Sequence, residues 1–325
     1  MGASFSYAAT SIAPPTQGVT GLTDVKSVLT EDTKTLYASM QSKFASAVLG
    51  NVADSNRVVF GNNKKFLVNA VFDKTNAYTW KNGPYSTQPE DFTKLFTEKD
   101  MEKLSDEHCV STIAISNPNN PSGDFMKAAD LMQYIRSATA DSFDTTVIVD
   151  ETYLPFIGED WKRDSIMLQQ QFLDEMENKG IRVWVVMDLT KVFAAPGLTL
   201  NVIVGPNSER VLETFTEMPT NNNFDLRFLG ALDQTSYLGE VNTTTKENRS
   251  KLTNVLQGMG YETYGWTFVP WVWVDVGSQE IADMFVAKGL EHSVNVISGK
   301  SFYNEPTYIQ IPVNADASLF SSIGQ

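Results

Sequence analysis

Val110-Ser111-Thr112-Ile113-Ala114-Ile115-Ser116 runs directly into Asn117-Pro118-Asn119-Asn120-Pro121-Ser122-Gly123. The first half is apolar and β-rich without clean alternation, the pattern of a strand covered on both faces. The second half crowds Pro, Asn, Ser and Gly into a stretch that sustains neither helix nor strand. The same junction recurs downstream: Thr146–Val149 (TVIV) ends in Asp150-Glu151-Thr152-Tyr153, Val183–Met187 (VWVVM) leads into Asp188-Leu189-Thr190-Lys191, and Leu200–Val204 closes on Gly205-Pro206. Helical stretches at Met126–Ser137 and Ile166–Glu177 separate several of these runs. Buried strands interleaved with helices imply an α/β fold, three layers α/β/α around a mostly parallel sheet. Polar residues gathered past the strand ends stand where such sheets bind ligands.

Working outward, Arg57-Val58-Val59-Phe60 reads as another strand, followed by the turn Gly61-Asn62-Asn63 and a helix over Lys64–Phe72. Strand, turn and helix in that order present backbone N–H groups to an anion. Between Leu29 and Leu49 the apolar residues Leu36, Met40, Phe44 and Val48 recur every four positions, one face of a helix, with Gly50 at its C-cap. Pro14-Pro15 makes the first 20 or so residues an extended arm. Beyond Gly205 the pattern changes. Asn221–Leu256 reads as mostly helical with a polar interruption, and Thr267–Val276 and Tyr308–Val313 read as strands of a smaller α+β unit. The expected organisation is an arm over 1–28, a large domain over 29–235 and a small C-terminal domain over 236–325.

Composition narrows the chemistry. The chain has 325 residues, with Lys+Arg 25 against Asp+Glu 39, a net charge of −14. That field repels phosphate backbones and argues against nucleic-acid binding. Only His108 and His292 are present, too few for an imidazole-based metal site, and none is expected. Cys109 is the only cysteine, consistent with a reducing compartment. The apolar runs are too short to span a membrane, and the N-terminus lacks the basic-then-apolar pattern of a secretory signal. Met1-Gly2-Ala3-Ser4-Phe5-Ser6 fits the acylation pattern M-G-x-x-x-S, but no nearby basic cluster adds a second anchoring signal. The expectation is a soluble cytoplasmic protein without membrane contact.

The three motifs Ser116–Gly123, Asp150-Glu151-Thr152-Tyr153 and Thr190-Lys191-Val192-Phe193 with Pro196-Gly197-Leu198 together resemble the class I/II aminotransferases. These are pyridoxal-phosphate enzymes of the aspartate aminotransferase fold type, also called fold type I. The motifs occur in order, each at a strand end, with room for one crossover helix between them, and the likeness extends over roughly residues 25–315. The resemblance implies pyridoxal 5'-phosphate as cofactor, an amino donor and acceptor as substrates, and a homodimer. It makes Lys191 the amine that forms the Schiff base and then acts as general base, and Asp150 the carboxylate beside the ring nitrogen. Asn120 and Tyr153 fall where the family hydrogen-bonds the phenolic oxygen of the ring. Gly61, Asn62 and Asn63, with Thr190, are placed for the phosphate, and Tyr85 or Trp80 for the ring face.

Taken singly, each motif also has a structural reading: a Pro-Asn loop, a helix cap at Asp150-Glu151, a solvated lysine. The chain also departs from the family. Thr199 stands eight residues beyond Lys191, where an arginine usually pairs with the phosphate, and Asp188 stands three residues before it in place of a small hydroxyl. Losing a cation and gaining an anion weakens phosphate binding unless Asp188 is neutralised, with Lys64 or Lys65 as compensating charges. Gln310, in Tyr308-Ile309-Gln310-Ile311-Pro312, takes the place of the arginine that clamps the substrate carboxylate, and cannot form that charged bidentate pair. The short stretch between Gly61 and Asn117, and the few residues after Gln310, suggest a trimmed member. The alternatives are a lyase, decarboxylase or cyclase using the same cofactor, or an inactive homologue serving as a binding subunit.

Overall fold

The computed structural model describes residues 33–50, 52–61, 64–71, 77–80, 94–96, 112–142, 144–158, 160–192, 200–206, 234–302 and 305–323. The N-terminal arm lies outside this set. The first helix, α1 (Thr33–Phe44), continues as a π-helical turn over Ala45–Leu49 and stops at Gly50, whose φ of 79° is readily open only to a residue without Cβ.

Seven strands form the large sheet: β1 (Val58–Gly61), β2 (Ala77–Trp80), β3 (Lys94–Phe96), β4 (Thr112–Ser116), β5 (Thr146–Asp150), β6 (Arg182–Asp188) and β7 (Asn201–Val204). Their order is β1-β7-β6-β5-β4-β2-β3. All neighbours are parallel except that β7 runs antiparallel to both β1 and β6. Side-chain alternation explains why the strands look uniformly apolar. Ile113, Ile115, Val147, Val149, Val183 and Val185 pack on one face with α1, α3 (Ala128–Ala138) and α4 (Gln170–Asn178). Ile148, Trp184, Val186 and Ile203 face the other side, against Leu67 and Val68 of α2 (Lys64–Val71). Neither face is left for water, so the strand interiors are almost wholly apolar, with polar residues mostly at the strand ends.

One expectation needs correction here. The stretch expected as one helix over Ile166–Glu177 is a 3-10 turn, Ile166–Leu168, and then α4, separated at Gln169, whose ψ of 68° lies outside the helical range. The described helix α6 (Gln234–Gly258) runs unbroken through Thr243-Thr244-Thr245, and the part of the expected helical stretch over 221–233 lies outside the described residues.

A second, antiparallel sheet has the order β10-β11-β9-β8, from β8 (Glu262–Tyr264), β9 (Trp271–Asp275), β10 (Ile297–Ser298) and β11 (Tyr308–Pro312). The strand expected over Thr267–Val276 begins only at Trp271. Pro270 has no N–H for a ladder, and Val269 N–H is spent on Trp266 O in a turn. Helices α6 and α7 (Gln279–Glu291) cover this sheet through Leu252, Leu256, Ala282 and Phe285. Tyr153, Phe156, Val241, Phe268, Trp271, Trp273 and Phe302 form an aromatic-rich cluster that joins the two sheets.

Candidate active site

The ladder registers bring four strand ends to one edge. Ser116 pairs with Asp150, and Asp150 with Val186. Asn201 is flanked by Asp188 on one side and Gly61 on the other. Since β1, β4, β5 and β6 all run the same way, the segments after them emerge over the carboxyl edge of the sheet, where open α/β folds hold ligands.

Asp150 ends β5 with its side chain 3% exposed. Its Oδ1 accepts hydrogen bonds from the Thr152 N–H at 3.0 Å and the Thr152 hydroxyl at 2.5 Å, an Asx turn reinforced by the hydroxyl. Its Oδ2 accepts from Lys64 Nζ at 2.8 Å. Burial by itself raises such a carboxyl. The charge and hydrogen bond of Lys64, with the two bonds from Thr152, override burial and hold Asp150 below its ordinary value, so it is an anion in the fold.

Thr152 makes a second connection: its Oγ1 also accepts the backbone N–H of Asp188 at 3.0 Å. One hydroxyl thereby ties the end of β5 to the end of β6. Asp188 Oδ1 accepts from the Thr190 N–H at 3.1 Å, and its Oδ2 lies 3.4 Å from Lys191 Nζ. Lys191 stands on the short helix α5 (Leu189–Val192), with its ammonium 5.9 Å from the centre of the Tyr153 ring. The result is two lysine–aspartate pairs bridged by Thr152. Asp188, unwelcome as a bare anion, is neutralised by Lys191 itself. Thr190 Oγ1 accepts the Leu200 N–H at 3.2 Å.

The neighbouring Glu151 serves structure. Its two oxygens accept from Ser165 Oγ at 2.5 Å and from the Ile166 N–H at 2.7 Å, capping the turn that follows. Burial pushes its carboxyl up to about 8 against these two bonds, and the charge of Asp150 adds to the shift.

The Asn117–Gly123 loop is pinned at both ends. Asn117 exchanges hydrogen bonds with the Met126 backbone at 2.8 Å, and Asn119 Oδ1 accepts from the Ser122 N–H and hydroxyl. Gly123 packs so closely on Gly265 that a Cβ there would lie 2.9 Å from the Gly265 Cα. The small sheet reaches this loop through two side chains. Trp271 Nε1 donates to Pro121 O at 2.6 Å while its ring meets Tyr153 edge-on at 4.5 Å. Gln310 Nε2 donates to Asn120 Oδ1 at 2.7 Å.

Of the residues singled out by sequence, Asp150, Tyr153, Thr190 and Lys191 thus gather at one site, with Gly61 on the same sheet edge. Asn120 and Gln310 meet each other. Asn62, Asn63, Tyr85 and Thr199 lie outside the described residues, as does the side chain of Trp80. Sequence reasoning missed the bridge at Thr152, although Asp-x-Thr is an Asx-turn signal, and the wall at Trp271, which no local pattern marks. It offered Lys64 only as a phosphate ligand, whereas here Lys64 holds Asp150.

The family model described as aminotransferase class I and II matches residues 77–318. The chain belongs to that family. Histidinol-phosphate aminotransferase from Caldicellulosiruptor saccharolyticus is 23% identical to this class I/II member over 239 residues, covering 72% of the chain and 59% of the relative. The family member therefore spans less than two thirds of that curated relative. Among solved structures, histidinol-phosphate aminotransferase from Sinorhizobium meliloti in complex with pyridoxal-5'-phosphate superposes with a TM-score of 0.68 at 16% identity, covering 87% of this chain and 79% of that one. A C-S lyase from Staphylococcus hominis superposes at 0.64 with 15% identity, covering 88% and 80%. At these identities the likeness establishes fold type I and leaves the reaction to the site.

Proposed function

We propose that the protein is a pyridoxal-phosphate-dependent aminotransferase acting on an amino acid or amine through Lys191. The observation that carries this reading is that a buried, ionised Asp150 and an amine, Lys191, stand at adjacent strand ends tied by Thr152. The residues fit the cofactor. A carboxylate kept anionic suits a protonated ring nitrogen, Tyr153 and Asn120 supply a phenol and an amide, and Gly61 with Asn62, Asn63 and Thr190 suits the phosphate. Tyr85 is assigned to the ring face.

When bound, pyridoxal 5'-phosphate supplies an aldehyde that exchanges amines and a ring that takes up the electron pair released at the substrate. The protein supplies the rest. Asp150 holds the proton on the ring nitrogen. Tyr153 and Asn120 orient the ring through its oxygen. Lys191 would supply the amine that holds the cofactor and, at Nζ, the base that moves a substrate proton. Asp188 Oδ2, 3.4 Å from Nζ, positions that amine. The tryptophan at 271 walls the site from the side of the small sheet.

One observation favours a second outcome with the same cofactor. Gln310 is neutral and its amide is committed to Asn120, so a substrate carboxylate meets no charged clamp at that position. Elimination, decarboxylation or cyclisation is the runner-up for that reason. We also read the protein as a cytoplasmic homodimer; the family supports the dimer, and the single cysteine suits a reducing compartment.

Borohydride reduction in the presence of pyridoxal 5'-phosphate, followed by peptide mapping, tests the central claim. The cofactor's mass is expected on the peptide bearing Lys191 and is absent in Lys191→Ala. A wild type that stays colourless and unlabelled in excess cofactor refutes it. A panel of amino acids then separates amination of the cofactor from release of ammonia.

A further inference from the structure

The two ion pairs at the sheet edge are not equivalent. Lys191 is bound to its own neighbourhood, three residues from Asp188. Lys64 comes from the opposite side of the sheet's switch in direction: it opens α2 immediately after Gly61-Asn62-Asn63 and reaches to the end of β5. Its side chain is 24% exposed, whereas that of Asp150 is 3% exposed. Thr152 engages Asp150 Oδ1 twice, so Oδ2 is the oxygen left for another partner, and Lys64 occupies it. A protonated ring nitrogen placed on Asp150 therefore competes with Lys64 for one oxygen. Once displaced, the ammonium remains attached at the first residue of α2, next in sequence to the Gly61-Asn62-Asn63 stretch that the cofactor reading assigns to the phosphate.

We propose, resting on the cofactor reading above, that Lys64 is an exchangeable counter-ion: it neutralises Asp150 in the cofactor-free protein and moves to the cofactor phosphate on binding. The exchange conserves pairing at both ends. Asp150 passes from one cation to another, and Lys64 passes from a carboxylate to a phosphate, so neither anion is left bare. It also answers how the phosphate is held where Thr199 stands in place of the usual arginine. A lysine suits the role because a flexible four-carbon stem carries a point charge that can serve two acceptors in turn.

Binding of pyridoxal 5'-phosphate and of pyridoxal, which lacks the phosphate, to cofactor-stripped protein separates the two halves of the exchange. Tryptophan fluorescence is the readout, and thermal melting of the stripped protein reports folding. In Lys64→Met, affinity for pyridoxal 5'-phosphate is expected to fall by about tenfold or more, the worth of one charge-assisted hydrogen bond. Affinity for pyridoxal is expected to hold or rise, because no counter-ion has to leave. Lys64→Arg keeps the charge and is expected to retain most of the phosphate-dependent affinity. The stripped Lys64→Met protein should melt below wild type, having lost the partner of Asp150. Equal tightening of both ligands would make Lys64 a competitor only, equal weakening would make it structural, and no change would make it irrelevant; each overturns the proposal. Wild type binding neither ligand would instead overturn the cofactor reading, and this inference with it.

Discussion

Glu151→Gln is a test of electrostatics at the sheet edge that does not depend on any ligand. Glu151 is fully buried beside the anionic Asp150, and its carboxyl is pushed up to about 8 from an ordinary value of 4.5. Between those two values the folded carboxyl keeps its proton while the unfolded one has released it. The native state therefore binds more protons, and stability falls as pH rises through the window from 4.5 to about 8. At about 1.4 kcal/mol per pH unit the full window is worth roughly 4–5 kcal/mol. Glutamine preserves both contacts without a titrating proton: its oxygen accepts from the Ile166 N–H and its amide donates to Ser165 Oγ. Denaturant midpoints measured at intervals from pH 5 to 9 should fall for wild type and stay nearly level for Glu151→Gln, the two curves crossing toward the alkaline side. Asp150 does not confuse the window, because its carboxyl is held low and its own contribution is lost only in acid. Parallel curves for the two proteins would refute the assignment of a buried, protonated Glu151.

Two further perturbations probe the scaffold and the bridge. Gly265→Ala places a Cβ 2.6 Å from Ser122 O at a φ of +89°, and a loss of about 3 kcal/mol is expected in chemical denaturation, against about 1 kcal/mol for Gly277→Ala, where φ is +78° but the space is open. Equal losses at the two sites would show that the close approach of the Asn117–Gly123 loop to the small sheet is not a constraint. Thr152→Val removes the acceptor of the Asp188 N–H and a donor to Asp150, for an expected cost of about 1–3 kcal/mol in stability and a weaker affinity for the cofactor by equilibrium titration. Unchanged affinity would mean that the bridge does not orient Asp150.

The strand-and-turn junctions were readable along the chain because burial on both faces removes the polar alternation of a half-exposed sheet, so Thr112–Ser116, Thr146–Asp150 and Arg182–Asp188 are near-continuous apolar runs. The motif residues were readable through their family resemblance, reinforced by their place at or just past a strand end. Local pattern misled where backbone chemistry intervened. Pro270 delays the strand that Thr267–Val276 promises, and Gln169 breaks the helix that the Ile166–Glu177 periodicity promises.

What the sequence determined by itself was therefore the α/β class and the strand ends, which follow from local pattern, while Asp150, Tyr153 and Lys191 stood out as chemical candidates through the resemblance of their motifs to a known family. The partners were decided only in three dimensions. Lys64 meets Asp150 and Gln310 meets Asn120 across 86 and 190 positions of chain. Thr152 joins two strand ends because the parallel register sets them side by side. Charge pairing depends on distance in space, and that distance is set by ladder register and by the packing of one sheet on the other, neither of which leaves a periodic trace in the chain.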